Sequence, residues 1–276
     1  MRVTSDDGTS VVVHDLGGHG PGLLVCHATG LCGRAYERLA AAVGGALHVW
    51  AVDLRGHGDS APPPDDDFAW AGMVRDVIAV RHALPAGPLH VFGHSMGGAA
   101  ALQAAADHPG LFASAYVYEP IIVAPEARSE HTANPLADQA RRRRPTFPSK
   151  AEALLRYASS ASLGALEAAS LAAYVEHGMR ELPDGTVTLK CAPEHEARTF
   201  EASAMITSAT VAAARIPTVV AIGSEPSPLA ALAPGVVAAL PDARLRVHQH
   251  LGHFGPLQSP ATVGADLVRH ASTGAP

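Results

Sequence analysis

The run "VFGHSMGGAA" (residues 91–100) constrains this chain more than any other stretch. An apolar, strand-like segment leads into Gly93-His94-Ser95-Met96-Gly97-Gly98, and an alanine-rich, helix-forming segment follows at once. So abrupt a change from a side-chain period of two to one of 3.6 needs a tight turn, which small residues on both sides of Ser95 permit. A Cβ at position 93 or 97 would meet the neighbouring strand or helix, and Ser95 is left at the tip in a strained conformation. Its hydroxyl is pushed past the sheet edge, beside the N-terminus of the next helix. The helix dipole and the free N–H of Met96 there favour negative charge.

The rest of the chain supplies a setting for such a turn. Short apolar runs at 22–27, 47–53, 89–93, 113–119, 217–223 and 244–249 alternate with amphipathic or alanine-rich segments at 34–43, 70–84, 96–107, 229–240 and 261–271. Fully apolar strands between helices predict a mostly parallel sheet covered on both faces, an α/β class fold. Residues 124–210 differ: three helical segments (125–144, 149–160 and 164–179) precede a hairpin over 181–191 turned by Asp184-Gly185. The expected organisation is a core of 1–123 and 211–276, with 124–210 inserted as a mainly helical cap over the sheet's C-terminal edge.

Composition removes several functional classes. The formal net charge of −6 offers no basic field for a phosphate backbone, so nucleic acid is not an expected partner. No apolar stretch is long enough to cross a bilayer, and the polar N-terminus lacks an apolar signal core. Three cysteines, Cys26, Cys32 and Cys191, suit reduced thiols in a cytoplasm, with a Cys26–Cys32 disulfide as the lesser reading. The sixteen histidines are scattered without a ligand-spaced helical pair, so no metal site is expected.

A serine hydroxyl is a weak nucleophile without a base. In "HLGHFGPLQSP" (250–260), His253 stands between small and apolar residues, after the last strand and before the last helix. That is where an imidazole belongs in a serine–acid–histidine chain order; a loop histidine without a role is the alternative. The loop "VCHATGLCG" (25–33) follows the first strand and offers backbone donors. Acyl transfer needs two N–H groups for its oxyanion, and Met96 and Thr29 are the expected pair. His94 is read as structural support for the turn.

"HATG", "DLRGHGDS" (53–60), "GHSMGG" (93–98) and "GHFGPLQSP" (252–260) together resemble the α/β-hydrolase superfamily in the sheet-forming parts, roughly 10–123 and 211–276. The oxyanion loop departs from the usual form in having Ala28 where glycine is common. Asp53, Arg55 and His57 are read as structural turn residues. The resemblance implies an acid three residues past the glycine of "PTVVAIG", but Pro226 stands there, with Glu225 one position early. Some members place the acid at the end of the strand after the nucleophile helix, here Glu119. A carboxylate in so apolar a strand needs a partner such as His253. Glu119 is the expected acid and Glu225 the alternative.

The resemblance implies a cofactor-free serine hydrolase acting on a small, mainly apolar ester or lactone through an acyl-enzyme on Ser95. A thioesterase, a C–C bond hydrolase, an acyltransferase or a perhydrolase on the same triad is the second reading. A small-molecule-binding receptor with little turnover is the third. The run Arg141–Arg144 reads as a solvated helix end, with an anion site for a phosphorylated carrier as the sharper alternative.

Overall fold

The structure, a computed structural model, describes residues 1–129 and 133–273. The chain opens with strands β1 (Arg2–Thr4), β2 (Ser10–Gly18) and β3 (Gly22–Cys26), then helix α1 (Glu37–Val43) and strand β4 (His48–Asp53). Helix α2 (Trp70–Ala83), strand β5 (Leu89–His94), helix α3 (Met96–Asp107) and strand β6 (Ser114–Tyr118) follow. Next come α4 (Pro135–Arg141), β7 (Thr146–Phe147), α5 (Lys150–Ala158), α6 (Ala168–Gly178), β8 (Met179–Glu181), β9 (Val187–Leu189), α7 (Pro193–Glu201) and α8 (Ser208–Val211). The chain closes with β10 (Thr218–Gly223), α9 (Ala233–Ala239), β11 (Ala243–His248), α10 (Gly255–Gln258) and α11 (Pro260–Thr273).

Eight strands form one sheet in the order β1-β2-β4-β3-β5-β6-β10-β11. β3, β4, β5, β6, β10 and β11 run parallel, as their apolar sequences lead one to expect. β5 and β6 are buried along their whole length because helices cover both faces. One face packs Met73, Val77 and Val80 of α2 and Leu102 of α3; the other packs Leu39 and Val43 of α1 and Leu267 of α11. Phe92 is fully buried, and its truncation to alanine would cost about 3–5 kcal/mol.

The antiparallel β1 and β2 were not expected from the sequence. β2 buries only alternate residues, Val11 and Val13, before His14 and Asp15, and its register shifts between Asp15 and Gly17. A strand so interrupted carries a weak period-two signal.

Between β6 and β10, the described residues form a three-stranded sheet of order β7-β9-β8 and five α-helices. Its hairpin turns at Asp184-Gly185, where Gly185 takes φ +83° and the Thr186 N–H donates to Asp184 Oδ1 at 3.0 Å. The helix expected over 125–144 contracts to Pro135–Arg141, capped by Asn134 Oδ1 on the Leu136 N–H at 3.0 Å. Residues 130–132 of that expected helix lie outside the described residues. α7 was missed, although Pro193 in its first turn with Glu194 and Glu196 is a helix-start signal. The segment between β6 and β10 touches the loop that follows β3 and the first residue of α2: the Tyr174 hydroxyl donates to the Gly30 carbonyl at 3.2 Å and Trp70 Nε1 donates to the Thr199 carbonyl at 2.8 Å.

Candidate active site

Ser95 takes φ +55° and ψ −116° at the junction of β5 and α3. Its N–H donates to the Tyr118 carbonyl at 2.9 Å, and its carbonyl accepts from Gly98 and Ala99 at 3.1 Å. These bonds hold a conformation that costs on the order of 1–3 kcal/mol for a residue with a side chain. A Cβ on Gly97 would strike the Cys26 and His27 carbonyls at the end of β3, and one on Gly93 would strike the Gly97 and Gly98 backbone. Both glycines are therefore required by close approach. Among the described residues the Met96 N–H has no hydrogen-bond acceptor.

Glu119 follows β6 at φ +42° and is fully buried. Its carboxylate accepts from the Gly223 N–H at 3.1 Å, the Ser227 hydroxyl at 2.9 Å and His253 Nδ1 at 2.8 Å. Burial pushes the Glu119 carboxyl up, but the bond and charge of His253, with Gly223 and Ser227, bring it below the ordinary carboxylate value. An ionised carboxylate only accepts, so Nδ1 of His253 carries the proton and Nε2 is left as the basic nitrogen. Glu225, the alternative acid, is exposed; among the described residues its side chain makes no hydrogen bond or ion pair, and its N–H donates to the Leu251 carbonyl at 3.0 Å. The structure thus brings Glu119, and not Glu225, to the imidazole.

The loop carrying His253 is tied at several points. Tyr118 Oη donates to the Gly252 carbonyl at 2.9 Å, and the Gly252 N–H donates to Gln258 Oε1 at 2.8 Å. His94 Nε2 lies 2.8 Å from the His253 carbonyl, and the two rings are 4.9 Å apart between centroids. The residue beside Ser95 therefore packs directly on His253.

After β3, the Ala28 carbonyl accepts from His27 Nδ1 at 2.8 Å and from the Leu31 N–H at 3.1 Å, while His27 Nε2 accepts from the Leu54 N–H at 3.0 Å. Burial lowers the His27 pKa, so the ring stays neutral with its proton on Nδ1. With the Ala28 carbonyl fixed, the trans peptide turns the Thr29 N–H to the opposite side. That N–H has no acceptor among the described residues, and Thr29 Oγ1 donates to Met96 Sδ at 3.4 Å. The two expected oxyanion residues are thus in contact. His27 was not singled out for this role; its position just before a small-residue loop after a strand is the signal available.

Other expected residues have structural uses. Arg55 is buried in ion pairs with Asp76 and Asp7, both at 2.7 Å. His14, Asp53 and Asp59 place ligand-type atoms within 4.8 Å of one another. Asp53 already accepts from Gly33 N–H, Asp59 N–H and His14 Nε2, and Lys190 pairs with Asp59 at 2.6 Å, so the group is satisfied by protein donors. The three cysteines are buried free thiols. The Arg141–Arg144 run is not simply solvated: Arg141 bridges Glu194 and Glu201, and Arg143 pairs with Glu196 and donates to the Tyr157 and Tyr174 hydroxyls. A groove of about 440 Å³ lined by Arg38, Lys150, Leu154 and His177 contains none of Ser95, Glu119 or His253. Among the described residues no helix is long and apolar enough to cross a membrane.

The family described as alpha/beta hydrolase fold matches residues 21–260. The crystal structure of E-2-(acetamidomethylene)succinate hydrolase superimposes with a TM-score of 0.79, covering 99% of each chain at 20% identity. Pimeloyl-[acyl-carrier protein] methyl ester esterase of Chromobacterium violaceum is 39% identical over 92 residues, which are 33% of this chain and 34% of the relative. The magnesium-chelatase 30 kDa subunit of Rhodobacter capsulatus is 36% identical over 90 residues, 33% of this chain and 32% of the relative. Those two alignments thus span only about a third of either partner.

Proposed function

We propose, from the premise that this chain belongs to the alpha/beta hydrolase fold family, that it is a serine hydrolase cleaving a carboxylic ester or lactone of a small, mainly apolar substrate. The observation that carries this reading is the 2.8 Å bond from His253 Nδ1 to the buried Glu119, beside the turn that holds Ser95. Ser95 Oγ attacks the carbonyl carbon as His253 Nε2 takes its proton. The negative oxygen is held by the Met96 and Thr29 N–H groups, each such donor being worth about 3–4 kcal/mol. Collapse of the intermediate expels the alcohol, which receives the proton from Nε2. Water then adds to the acyl-enzyme by the same route and releases the acid.

Support for an ester comes from the likeness to the C. violaceum methyl ester esterase, and support for an enclosed small substrate from residues 124–210, read as a cap. Leu166, Leu171 and Tyr174 of that region pack with the core cluster that includes Leu251 and Leu257 of the His253 loop. The test is a pre-steady-state assay with a short-chain p-nitrophenyl ester. A burst of p-nitrophenol equal to the enzyme concentration, abolished in Ser95→Ala, is expected. Equal turnover by Ser95→Ala would sink the reading, and a panel of lactones, thioesters and C–C substrates then ranks the bond types.

A further inference from the structure

Ala28, Tyr36, His94 and His253 form one hydrogen-bonded chain, buried except at its His253 end. The Ala28 N–H donates to Tyr36 Oη at 3.2 Å, Tyr36 Oη meets His94 Nδ1 at 2.7 Å, and His94 Nε2 meets the His253 carbonyl at 2.8 Å. Both Tyr36 and His94 are fully buried. The proton positions follow from chemistry alone. A carbonyl oxygen can only accept, so Nε2 of His94 carries the hydrogen. Burial holds that ring neutral, so Nδ1 is an acceptor and the Tyr36 hydroxyl donates to it. The Ala28 N–H then donates to the Tyr36 oxygen. Every bond points the same way, from the loop after β3 to the loop before α10.

We infer that Tyr36 and His94 are positioning residues that lock the oxyanion loop, the nucleophile turn and the base loop into one register. The inference rests on the functional reading above for the roles of Thr29, Ser95 and His253. Ala28 immediately precedes the Thr29 donor, His94 immediately precedes Ser95, and the terminal carbonyl belongs to His253 itself. A shift at any link therefore moves a reacting partner. Misplacement by about 1 Å costs on the order of 100-fold in rate. Hydrogen bonds in such a chain also polarise one another, so its members act as a unit.

Tyr36→Phe keeps the ring and deletes the central hydroxyl. It is expected to lower kcat about 10- to 100-fold with KM changed less than threefold. The double variant Tyr36→Phe/His94→Ala should be no slower than the slower single, since either change cuts the same chain. Tyr116→Phe is the matched control: it removes a buried hydroxyl bonded to His248 and Asp266, and should lower the melting temperature while keeping kcat. A readout without turnover is ¹⁵N NMR of the histidines. The wild type should show His94 as the Nε2–H tautomer with a hydrogen-bonded Nδ1, and Tyr36→Phe should remove the Nδ1 shift and speed exchange of the Ala28 amide. An Nδ1–H tautomer in the wild type, multiplicative losses in the double variant, or kcat in Tyr36→Phe within twofold of wild type overturns the inference. Failure of the functional reading is distinct, because it appears as an active Ser95→Ala with the NMR signature intact.

Discussion

Glu119–His253 and Asp53–His14 are both 2.8 Å pairs between a buried carboxylate and an imidazole. Each carboxylate accepts two further bonds, Glu119 from Gly223 and Ser227, Asp53 from Gly33 and Asp59. Each is brought below its ordinary pKa by its partners against the upward push of burial. Each even has a serine nearby. The difference lies in what that serine does. Ser60 donates to the Asp53 carbonyl and accepts from the Val12 N–H at 2.7 Å, so both of its hydroxyl roles are taken by backbone. Ser95 sits on a strained turn at a helix start, and the Met96 N–H beside it has no acceptor among the described residues. A serine, a histidine and a carboxylate close together are therefore not a reaction centre; an uncommitted hydroxyl next to uncommitted donors is the distinguishing feature.

The comparison is broken most directly at the acids. Glu119→Gln should lower kcat for ester hydrolysis by about 10⁴-fold, because the amide favours the wrong imidazole tautomer, while Glu225→Gln stays within threefold. The opposite ranking in steady-state assays reassigns the acid to Glu225. Asp53→Asn should do the reverse of Glu119→Gln. It costs about 1–3 kcal/mol in urea unfolding, as expected when a buried carboxylate that accepts three bonds becomes an amide with one acceptor oxygen, yet the folded protein keeps kcat within a few-fold.

Acid sharpens the contrast between stability and activity. The buried imidazole of His57 is pushed by burial from an ordinary 6.5 down to about 3. Below about pH 6.5 the unfolded chain binds a proton that the folded chain refuses, so stability falls with falling pH until about pH 3. From pH 7 to pH 5 this single group should remove about 2 kcal/mol, and His57→Phe should flatten the slope measured by urea unfolding. Glu119 and Asp53 add to the loss only lower, as pH falls through their depressed values. The smallest effect belongs to Ser60→Ala: about 1 kcal/mol of stability and no change in kcat. A large activity loss there would erase the distinction between the two serines.

Much of the core architecture is written locally. The buried parallel strands are continuous apolar runs, and the Ser95 turn needs glycines at fixed offsets, so neither depends on distant residues. The Glu119–His253 contact was expected from the family resemblance, supported by the cost of an acid closing the apolar strand "YVY" without a partner. β1 and β2 escaped because a bulged edge strand with His14, Asp15 and two glycines has little periodicity left. α7 is a different case, since its proline and acidic first turn were present and were overlooked. Tyr36 could not have been found: its partners lie 8 and 58 residues away, and no sequence period records such a contact. Arg143 looked like part of a charged helix end because burial of one arginine among four depends on the packing of α6 and α7.

The acid at the end of β6 has a consequence for how the polypeptide could be divided. Every residue given a role in the proposed chemistry except His253 lies upstream of α4, within the first 119 residues. A break between α4 and β10 would leave a long fragment carrying the alcohol, both anion-holding amides and the carboxylate, and a short one delivering only the imidazole with the last two strands. Complementation between two such fragments would make turnover a direct report of their association.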